Sequence, residues 1–563
     1  MATLWWHRAV VYQIYPKSFM DTDGDGVGDI PGIIEKLDYI KSLGANVLWL
    51  NPIFKSPQID NGYDVSDYYA IGPEFGRLSD IEKLISEAKK RGLRIILDLV
   101  VNHTSDQHYW FQEARKGRNN PYRNFYIWRD GHGGKEPNNW ASFFGGSVWT
   151  YDPGTDQYYF HLFDKKMPDL NWEHPEVRRQ IYAMAKFWRD KGIDGFRLDA
   201  IIHLAKDMRF HDFENGDTAE GFAIAEPCYA NLPRVHDFIH EFNRVLKSGH
   251  TDFLLVGEAA SADVALAEKY SDPGREECDC IITFRHLDTE VVDEDPRLPR
   301  GWQKEKLNFR TFKKTMEEWQ RQLFGKGWSA LYWNNHDMPR LLSRFGNEGK
   351  YRWESAKMLA TLMYLQWGMP FILQGEEIGM INLKMQHIRD YDEPGLAAFT
   401  EQAQKLGYSN AEILKMVQAR SKNTSRGAMQ WNDAAYGGFS EAKPWLGIND
   451  DYRTVNVAMQ EGNTESVLNY YRALFRIRNR EVVFTEGSCQ LLDTDNDALY
   501  TYRREYNEDA ALVICNLTNQ SQDFHYPGLS SWTCLLSNSG NCDFSGEDMT
   551  LVPYGCYVLK KEI

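Results

Sequence analysis

The sequence is short of basic residues and cysteines, and it has no apolar run long enough to cross a membrane. Its 64 Lys and Arg residues stand against 80 Asp and Glu residues, for a net charge of −16 at pH 7. Nucleic-acid binding needs a basic face, so this balance argues against it. Eight cysteines are scattered over the chain. Cys278 and Cys280 form a C-x-C with no second pair, which favours a reduced strand over a zinc site.

The most apolar stretch, residues 358–373, is interrupted by Gly368-Met369-Pro370 and is too short for a transmembrane helix. The first residues show no charged segment followed by an apolar one, so we expect no signal peptide. These absences predict a soluble protein of the cytoplasm that does not bind membranes. We expect it to be a monomer.

The 563 residues are enough for a large core and two or three domains. Short apolar strands alternate with helical patterns, as in parallel βα units. Seven candidate strands lie within residues 10–16, 46–52, 93–103, 193–200, 252–259, 278–284 and 328–337, and an eighth lies within 358–373. Eight such units over more than 450 residues predict an α/β fold, a (β/α)₈ TIM barrel with insertions.

Two long excursions leave the predicted barrel at the C-terminal ends of strands, where barrel active sites are built. Residues 104–171 predict an inserted domain B after the third strand, and residues 375–463 a subdomain after the eighth. The barrel itself would comprise residues 1–103 and 172–481. After residue 482 short alternating strands predict a C-terminal antiparallel β-sandwich, residues 482–563.

Acidic side chains stand at the ends of several predicted strands. Asp98 lies in the third strand, Arg197 and Asp199 end the fourth, Glu258 ends the fifth and Asp337 ends the seventh. Alone, each acid could be a helix N-cap or a salt-bridge partner. Carboxylates that converge from separate strands repel each other, so one pKa should rise while Arg197 keeps another acid ionised. Retaining glycoside cleavage uses such a pair, about 5–5.5 Å apart.

A separate acidic loop, DTDGDGVGD at residues 21–29, follows half of the EF-hand spacing. The side chains of Asp21, Asp23, Asp25 and Asp29 and the carbonyl of Val27 would supply hard oxygen ligands. The closing Glu of an EF-hand is absent, because Gly32 occupies that position. The loop therefore predicts a structural Ca²⁺ or Mg²⁺ site rather than a calcium sensor, with a metal-free acidic turn as the alternative.

The motifs at the strand ends resemble those of a known family. DLVVNH, GFRLDA, VGEA and NNHD, in this order and spacing, are similar to regions of the α-amylase superfamily of glycoside hydrolases. The resemblance covers almost the whole chain. It is strongest to the branch that contains oligo-1,6-glucosidase, dextran glucosidase and the bacterial α-glucosidases. It implies a catalytic barrel, a domain B, a C-terminal β-sandwich, and a structural Ca²⁺ or Mg²⁺ in the acidic loop.

The resemblance also implies residue roles. Asp199 would be the nucleophile, Glu258 the general acid/base and Asp337 the transition-state stabiliser, with Arg197 orienting Asp199 and Asp98 holding Arg197. Seven further residues would surround the terminal glucose: His103 and His336 as hydroxyl ligands, Tyr63 as a stacking ring, Asp60 with Arg426 as a grip on the non-reducing end, and Phe144 and Phe163 as pocket lining. Such a grip closes the pocket and implies exo-action.

The implied activity is that of a retaining α-glucosidase which releases α-glucose from short malto- and isomalto-oligosaccharides. Three departures from the branch bear on linkage: Met167 where the branch has Gln, Gly427-Ala428 before Met429, and Ala200 after the nucleophile. Val at the last position accompanies α-1,6 preference in the branch, and Ala or Thr accompanies α-1,4 activity. We expect mixed activity.

Other functions share this framework. Trehalose-6-phosphate hydrolysis needs cations near the leaving sugar. Asp288 and Glu290 would repel a phosphate, while the cluster Lys304, Lys306 and Arg310 would favour one. Sucrose isomerisation or glucosyl transfer would use the same catalytic acids. A non-catalytic binding relative should have lost those acids or gained a membrane anchor, and this chain has done neither.

Overall fold

The computed structural model describes residues 4–214, 221–287, 289–540 and 546–562. Asp288, used above, lies outside the described residues. The barrel strands are β1 (Val11–Ile14), β2 (Val47–Leu50), β3 (Arg94–Val100), β4 (Gly195–Asp199), β5 (Leu254–Glu258), β6 (Cys280–Ile282), β7 (Ala330–Leu331) and β8 (Met369–Leu373).

The strands are hydrogen-bonded in the order β6-β5-β4-β3-β2-β1-β8-β7, and all of these pairings are parallel. A parallel bridge between Ile281 and Ser329 joins β6 to the start of β7 and closes the sheet. The predicted TIM barrel is confirmed. Cys278 and Cys280 are buried free thiols, and Cys280 begins β6.

Each strand is followed by a helix of the outer layer: Ile30–Glu35 continued by Leu37–Ser42, Leu78–Lys90, Pro175–Asp190, Pro233–Lys247, Val264–Ser271, Phe309–Leu323, Arg352–Tyr364 and Val467–Arg480. The second helix illustrates why they form. Ile81, Leu84, Ile85 and Ala88 are buried at three- and four-residue spacing, so one face packs on the barrel. Asp80 accepts a hydrogen bond from the Arg77 amide at its N-terminus, 2.8 Å.

The excursion after β3 contains the helix Tyr109–Ala114 and a three-stranded antiparallel sheet of Trp128–Arg129, Gln157–Phe160 and Trp149–Asp152. The excursion after β8 contains the helices Leu396–Lys405, Asn410–Arg420 and Val457–Glu461. It has its own apolar cluster, which includes Phe399, Ile413 and Val417. Smaller elements are the helices Leu341–Phe345 and Val482–Thr485 and the strand pairs Phe54–Lys55 with Asp67–Ile71 and Thr289–Val291 with Glu305–Leu307.

The C-terminal part is antiparallel. One sheet contains Ser488–Leu492, Leu499–Tyr506, Asp509–Asn516, Cys556–Glu562 and Thr533–Ser537 in that order, and a second pairs Gln522–His525 with Asp548–Leu551. This agrees with the predicted C-terminal β domain. The domain boundaries of the sequence analysis stay predictions. Among the described residues, no helix combines the length and apolarity that a membrane crossing requires.

Candidate active site

A cavity of about 500 Å³ opens beside the C-terminal ends of β4 and β5. Eight of the eleven residues implied by the resemblance as catalytic or substrate-binding line it: Asp60, Tyr63, His103, Phe144, Phe163, Asp199, Glu258 and Asp337. The other three, Arg197, His336 and Arg426, are buried and are not among its lining residues. The barrel therefore brings together side chains that are far apart in sequence.

Arg197 is the hub of the catalytic acids. Its Nη1 donates to Asp199 Oδ1 at 2.6 Å and to Asp98 Oδ1 at 2.8 Å, and its Nη2 lies 2.8 Å from Glu258 Oε2. The Ala200 amide donates to the same Glu258 oxygen at 3.0 Å. One guanidinium thus holds three carboxylates from three neighbouring strands.

Glycine makes this arrangement possible at β5. A Cβ on Gly257 would overlap Ile201, which follows the nucleophile strand, and would also press on Cys278. A larger residue at position 257 would force the side chains of Ile201 and Cys278 to shift. Gly257 therefore allows close packing at the end of β5, and Glu258, the next residue, supplies the carboxylate.

Burial governs the protonation of this cluster. Burial raises the pKa of Asp199 well above its usual range; the charges of Glu258 and Asp98 add to the rise, and Arg197 opposes it. Burial likewise raises the pKa of Asp98 against the pull of Arg197. The single positive charge of Arg197 therefore lowers the pKa of Asp199 less than burial raises it. The predicted rise in pKa is present, and it lies on Asp199 and Asp98.

Behind this cluster a buried network orients Tyr63. Its hydroxyl donates to Asp98 Oδ2 at 2.8 Å and lies 2.6 Å from His336 Nε2. Gln13 Nε2 lies 2.9 Å from His336 Nδ1 and can only donate, which leaves the proton on Nε2. Burial lowers the pKa of His336 to about 3. The imidazole is therefore neutral and points its N–H towards Tyr63 and Asp337.

Two further ion pairs involve residues that line the cavity. Arg426 Nη2 donates to Asp337 Oδ1 at 2.9 Å, and Lys422 Nζ donates to Asp60 Oδ1 at 3.1 Å. Burial alone would raise the pKa of Asp337, but His336, Lys422 and Arg426 together lower it. Asp337 is thus ionised. The ion-pair partner of Asp60 is Lys422, a residue that the sequence analysis did not name.

His103 has protein partners on both ring nitrogens. Asn102 Nδ2 lies 3.2 Å from Nδ1, and Nε2 lies 3.1 Å from the Tyr63 carbonyl oxygen. A sugar hydroxyl would have to share that Nε2 proton. Phe163 packs against His103 with ring centroids 5.1 Å apart, and Phe144 packs on Phe163 at 5.7 Å.

Several lining residues were missed by the sequence analysis: Phe143, Ile202, His203, Ala260, Phe284, Gly301, Trp302, Glu393, Pro394, Arg420 and Lys422. Most lie in the segments after β5, β6 and β8, several of them in short helices, where a position at a strand end does not mark them. Met167 and Ala200, noted as departures from the branch, both line the cavity.

Ala200 adopts a left-handed backbone conformation, with φ 47° and ψ 38°. This conformation is uncommon for residues with a Cβ. It turns the chain sharply after Asp199 and aims the Ala200 amide at Glu258. The residue that follows Asp199 therefore also contacts the acid at the end of the next strand.

The acidic loop forms a candidate metal site apart from this cavity. Carboxylate oxygens of Asp21, Asp23 and Asp29 lie within 4.8 Å of one another. That group does not include Asp25, whose Oδ1 accepts from the Val27 amide at 2.7 Å. The clustered oxygens suit a hard divalent cation.

The same loop is docked on the excursion after β8. Ser440 Oγ donates to Asp21 Oδ2 at 2.5 Å, and the Trp445 amide donates to the Gly26 carbonyl at 2.9 Å. An ion bound here would link that excursion to the loop that follows β1.

Comparison with known proteins finds family matches along nearly the whole chain. The family model described as "Alpha amylase, catalytic domain" matches residues 13–487, and "Maltogenic Amylase, C-terminal domain" matches residues 489–558. An oligo-1,6-glucosidase of Parageobacillus thermoglucosidasius is 45% identical over 528 residues, 94% of this chain and 93% of that protein.

Two solved structures are similar over their full length. The Bacillus licheniformis trehalose-6-phosphate hydrolase has a TM-score of 0.93 and 42% identity, with 100% of each chain covered. An isomaltulose synthase mutant of Erwinia rhapontici in complex with sucrose has a TM-score of 0.92 and 38% identity, covering 100% of this chain and 99% of the other.

Proposed function

Because the chain belongs to the α-amylase family of glycoside hydrolases, we propose that it is a retaining, exo-acting α-glucosidase. It would release α-glucose from the non-reducing end of short malto- and isomalto-oligosaccharides. One observation carries this proposal. Arg197 binds both Asp199 and Glu258, and these two acids line one cavity together with the Asp60–Lys422 ion pair, which we assign to its far end.

In the first displacement Asp199 attacks the anomeric carbon of the terminal glucose, and the bond to the leaving sugar breaks. Glu258 donates its proton to the leaving oxygen, so the shortened oligosaccharide departs neutral. A single guanidinium contacting both carboxylates favours the close spacing of retaining enzymes, about 5–5.5 Å, over the roughly 6.5–9.5 Å of inverting ones. Asp337 binds hydroxyls of the reacting sugar.

In the second displacement the ionised Glu258 takes a proton from water, and the oxygen of that water attacks the glucosyl carbon. The bond to Asp199 breaks, and glucose leaves with its original α configuration. The contacts of Arg197 Nη2 and of the Ala200 amide with Glu258 Oε2 support this cycle because they stabilise the carboxylate that forms when Glu258 gives up its proton. Assigning that proton to Glu258 is part of the proposal.

The far end of the cavity supports exo-action. The side chains of Asp60 and Lys422 are 11% and 14% exposed, and their ion pair stands where a longer chain would have to continue beyond the terminal glucose. Tyr63 and Phe144 line the same cavity. A glucose unit held here would lie in a dead-end site, with the leaving sugar on the side of Glu258.

The charges favour neutral substrates over trehalose 6-phosphate, which is our second candidate because proteins of that activity are similar over the full chain. Among the described residues, the Lys and Arg side chains that line the cavity are Lys422 and Arg420. Lys422 pairs with Asp60, and Arg420 pairs with Glu305 and donates to the Gly301 carbonyl. Glu305 is shared with Arg344, but five carboxylates of the described residues line the cavity (Asp60, Asp199, Glu258, Asp337 and Glu393), so acids outnumber these two cations.

The test is glucose release by the purified protein from maltose, isomaltose, panose, sucrose, trehalose and trehalose 6-phosphate. We expect the highest kcat/KM on maltose or isomaltose. The highest value on trehalose 6-phosphate would replace the proposal with the second candidate. Formation of a new disaccharide from sucrose as the main product would replace it with isomerisation.

We further propose that Asp21, Asp23, Asp25, Asp29 and the Val27 carbonyl hold a structural Ca²⁺ or Mg²⁺. The clustering of three of these carboxylates supports an ion, and the contacts of the loop with Ser440 and Trp445 support a structural role. The site would contribute to stability and take no part in the reaction.

We also propose a monomer of the cytoplasm. Six described cysteines are free thiols, as a reducing compartment favours, whereas Cys534 is disulfide-bonded, which such a compartment disfavours. Light scattering of the purified protein and cell fractionation would test the two parts of this proposal separately.

A further inference from the structure

A second cavity, of about 790 Å³, adjoins the active-site cavity. Ala260 and Phe284 line both. The Phe284 amide donates to the Ala260 carbonyl at 3.0 Å, so these two residues form one shared wall between the segments after β5 and β6. The volume falls within the range of pockets that hold small ligands, roughly 300–1,000 Å³.

This wall stands on the side of the leaving sugar. Ala260 is two residues after Glu258, which protonates the leaving oxygen in the proposed mechanism. A third sugar, attached to the leaving one, would therefore pass Ala260 and the half-buried Phe284 ring before it reached the second cavity. From there the cavity runs between the helices Val264–Ser271 and Phe309–Leu323, with Ala265 on one side and Thr315 on the other.

Another cavity touches the active site but does not fit this path. It lies in the excursion after β8 and shares Glu393 with the active-site cavity. Glu393 Oε2 accepts hydrogen bonds from the Ser421 hydroxyl and, at 3.0 Å, from the Lys422 amide. Glu393 therefore belongs to the closed end, next to the Asp60–Lys422 pair, and a leaving sugar would not meet it.

The lining of the second cavity suits an uncharged polyhydroxylated chain. Glu226, Asp263 and Glu318 carry three negative charges against one positive charge on Arg285. Glu318 accepts a hydrogen bond from Gln322 at 3.2 Å, which presents an amide and a carboxylate side by side. Such groups can bind sugar hydroxyls, and their net charge would repel an anionic substrate.

We propose that this second cavity is a binding site for the distal glucosyl units of substrates longer than a disaccharide. The proposal rests on the α-glucosidase function above and adds to it a preference for neutral trisaccharides and tetrasaccharides. It predicts that kcat/KM rises from isomaltose to isomaltotetraose, or along the matching malto-series, because the additional units make contacts that the disaccharide lacks.

The experiment compares Thr315→Trp, which fills the cavity, with Lys314→Trp, which places the same side chain at the exposed neighbouring position of the same helix. Both are assayed on isomaltose and isomaltotetraose, and their melting temperatures are measured. We expect Thr315→Trp to lower kcat/KM on the tetrasaccharide about fivefold or more and to leave isomaltose within twofold. Lys314→Trp should change neither.

Glu318→Ala, at an exposed position that cannot disturb the core, should lower the tetrasaccharide value in the same direction. Equal effects on both substrates, or none in either cavity variant, would overturn the inference while leaving the α-glucosidase function standing. A wild-type protein that released no glucose even from disaccharides would instead refute the function itself. A tetrasaccharide cleaved no better than isomaltose by the wild type would also overturn the inference.

Discussion

Replacing Ala200 by Val tests how the residue after the nucleophile controls linkage. Ala200 lines the cavity, is 8% exposed, and stands between Asp199 and the Glu258 carboxylate to which its amide donates. Valine adds two methyl groups beside the scissile oxygen. An α-1,6 bond has an additional rotatable methylene and can bend the leaving sugar away, whereas an α-1,4 bond holds that sugar rigidly near the methyl groups.

The structure separates two effects of this substitution. The left-handed backbone at Ala200 is unfavourable for L-residues by about 1–2 kcal/mol, and a β-branched side chain adds strain. That strain lowers the melting temperature, and through Glu258 it slows both substrates alike. The methyl groups discriminate between substrates. One methylene in a pocket is worth about 1–3 kcal/mol, so the maltose-to-isomaltose ratio of kcat/KM should fall about tenfold.

The assay is initial glucose release from maltose and isomaltose, together with thermal melting. Ala260→Val is the matched control, because it adds the same methyl groups to the cavity wall at a residue outside the left-handed region. It should leave the melting temperature closer to wild type than Ala200→Val does. An unchanged maltose-to-isomaltose ratio in Ala200→Val would refute the steric argument and direct attention to Met167.

Four further outcomes are expected. Asp199→Asn and Glu258→Gln should each lower kcat by several orders of magnitude with an unchanged melting temperature, and near wild-type kcat in either variant would refute its role. Proton NMR of early product should show α-glucose, since β-glucose first would mean inversion. A strong chelator should lower the melting temperature of the wild type but not of Asp21→Ala, because an ion bound only by the folded loop stabilises the folded protein. Loss of turnover without loss of stability would instead indicate a catalytic ion. Burial raises the pKa of Glu376 to about 8, above its unfolded value, so the folded protein binds the additional proton and stability should fall as pH rises towards 8. Glu376→Gln should flatten that pH dependence of the melting temperature, and an identical slope in both proteins would contradict it.

The barrel was predictable because each strand is buried on all sides and ends in a turn before a periodic helix. β1, β2 and β8 are buried at every position and are mostly apolar, so their sequences mark them clearly. β7 is a contrast: only Ala330 and Leu331 pair as a strand, within a longer predicted segment. The polar NNHD that follows has no ladder partner, and sequence alone cannot tell a strand from the extended turn after it.

The site was predictable to the extent that its residues sit at strand ends. Asp199 and Glu258 do, and the topology of parallel strands brings them together. Lys422 does not, because it begins a short 3₁₀ helix, Lys422–Ser425, in the excursion after β8 and meets Asp60 only through the fold of that excursion. The left-handed conformation of Ala200 was equally invisible, since no glycine or asparagine announces it.

The protonation of the acid cluster points to how the site would favour its transition state. Arg197 supplies one positive charge to Asp98, Asp199 and Glu258, and in the absence of substrate that is too little, since burial still raises the pKa of Asp199. Even when Glu258 is protonated, the carboxylates of Asp98 and Asp199 still share the single positive charge of Arg197. As the glycosidic bond breaks, positive charge develops on the sugar next to Asp199. That charge supplies the missing compensation only at the transition state, which is the differential stabilisation that catalysis requires.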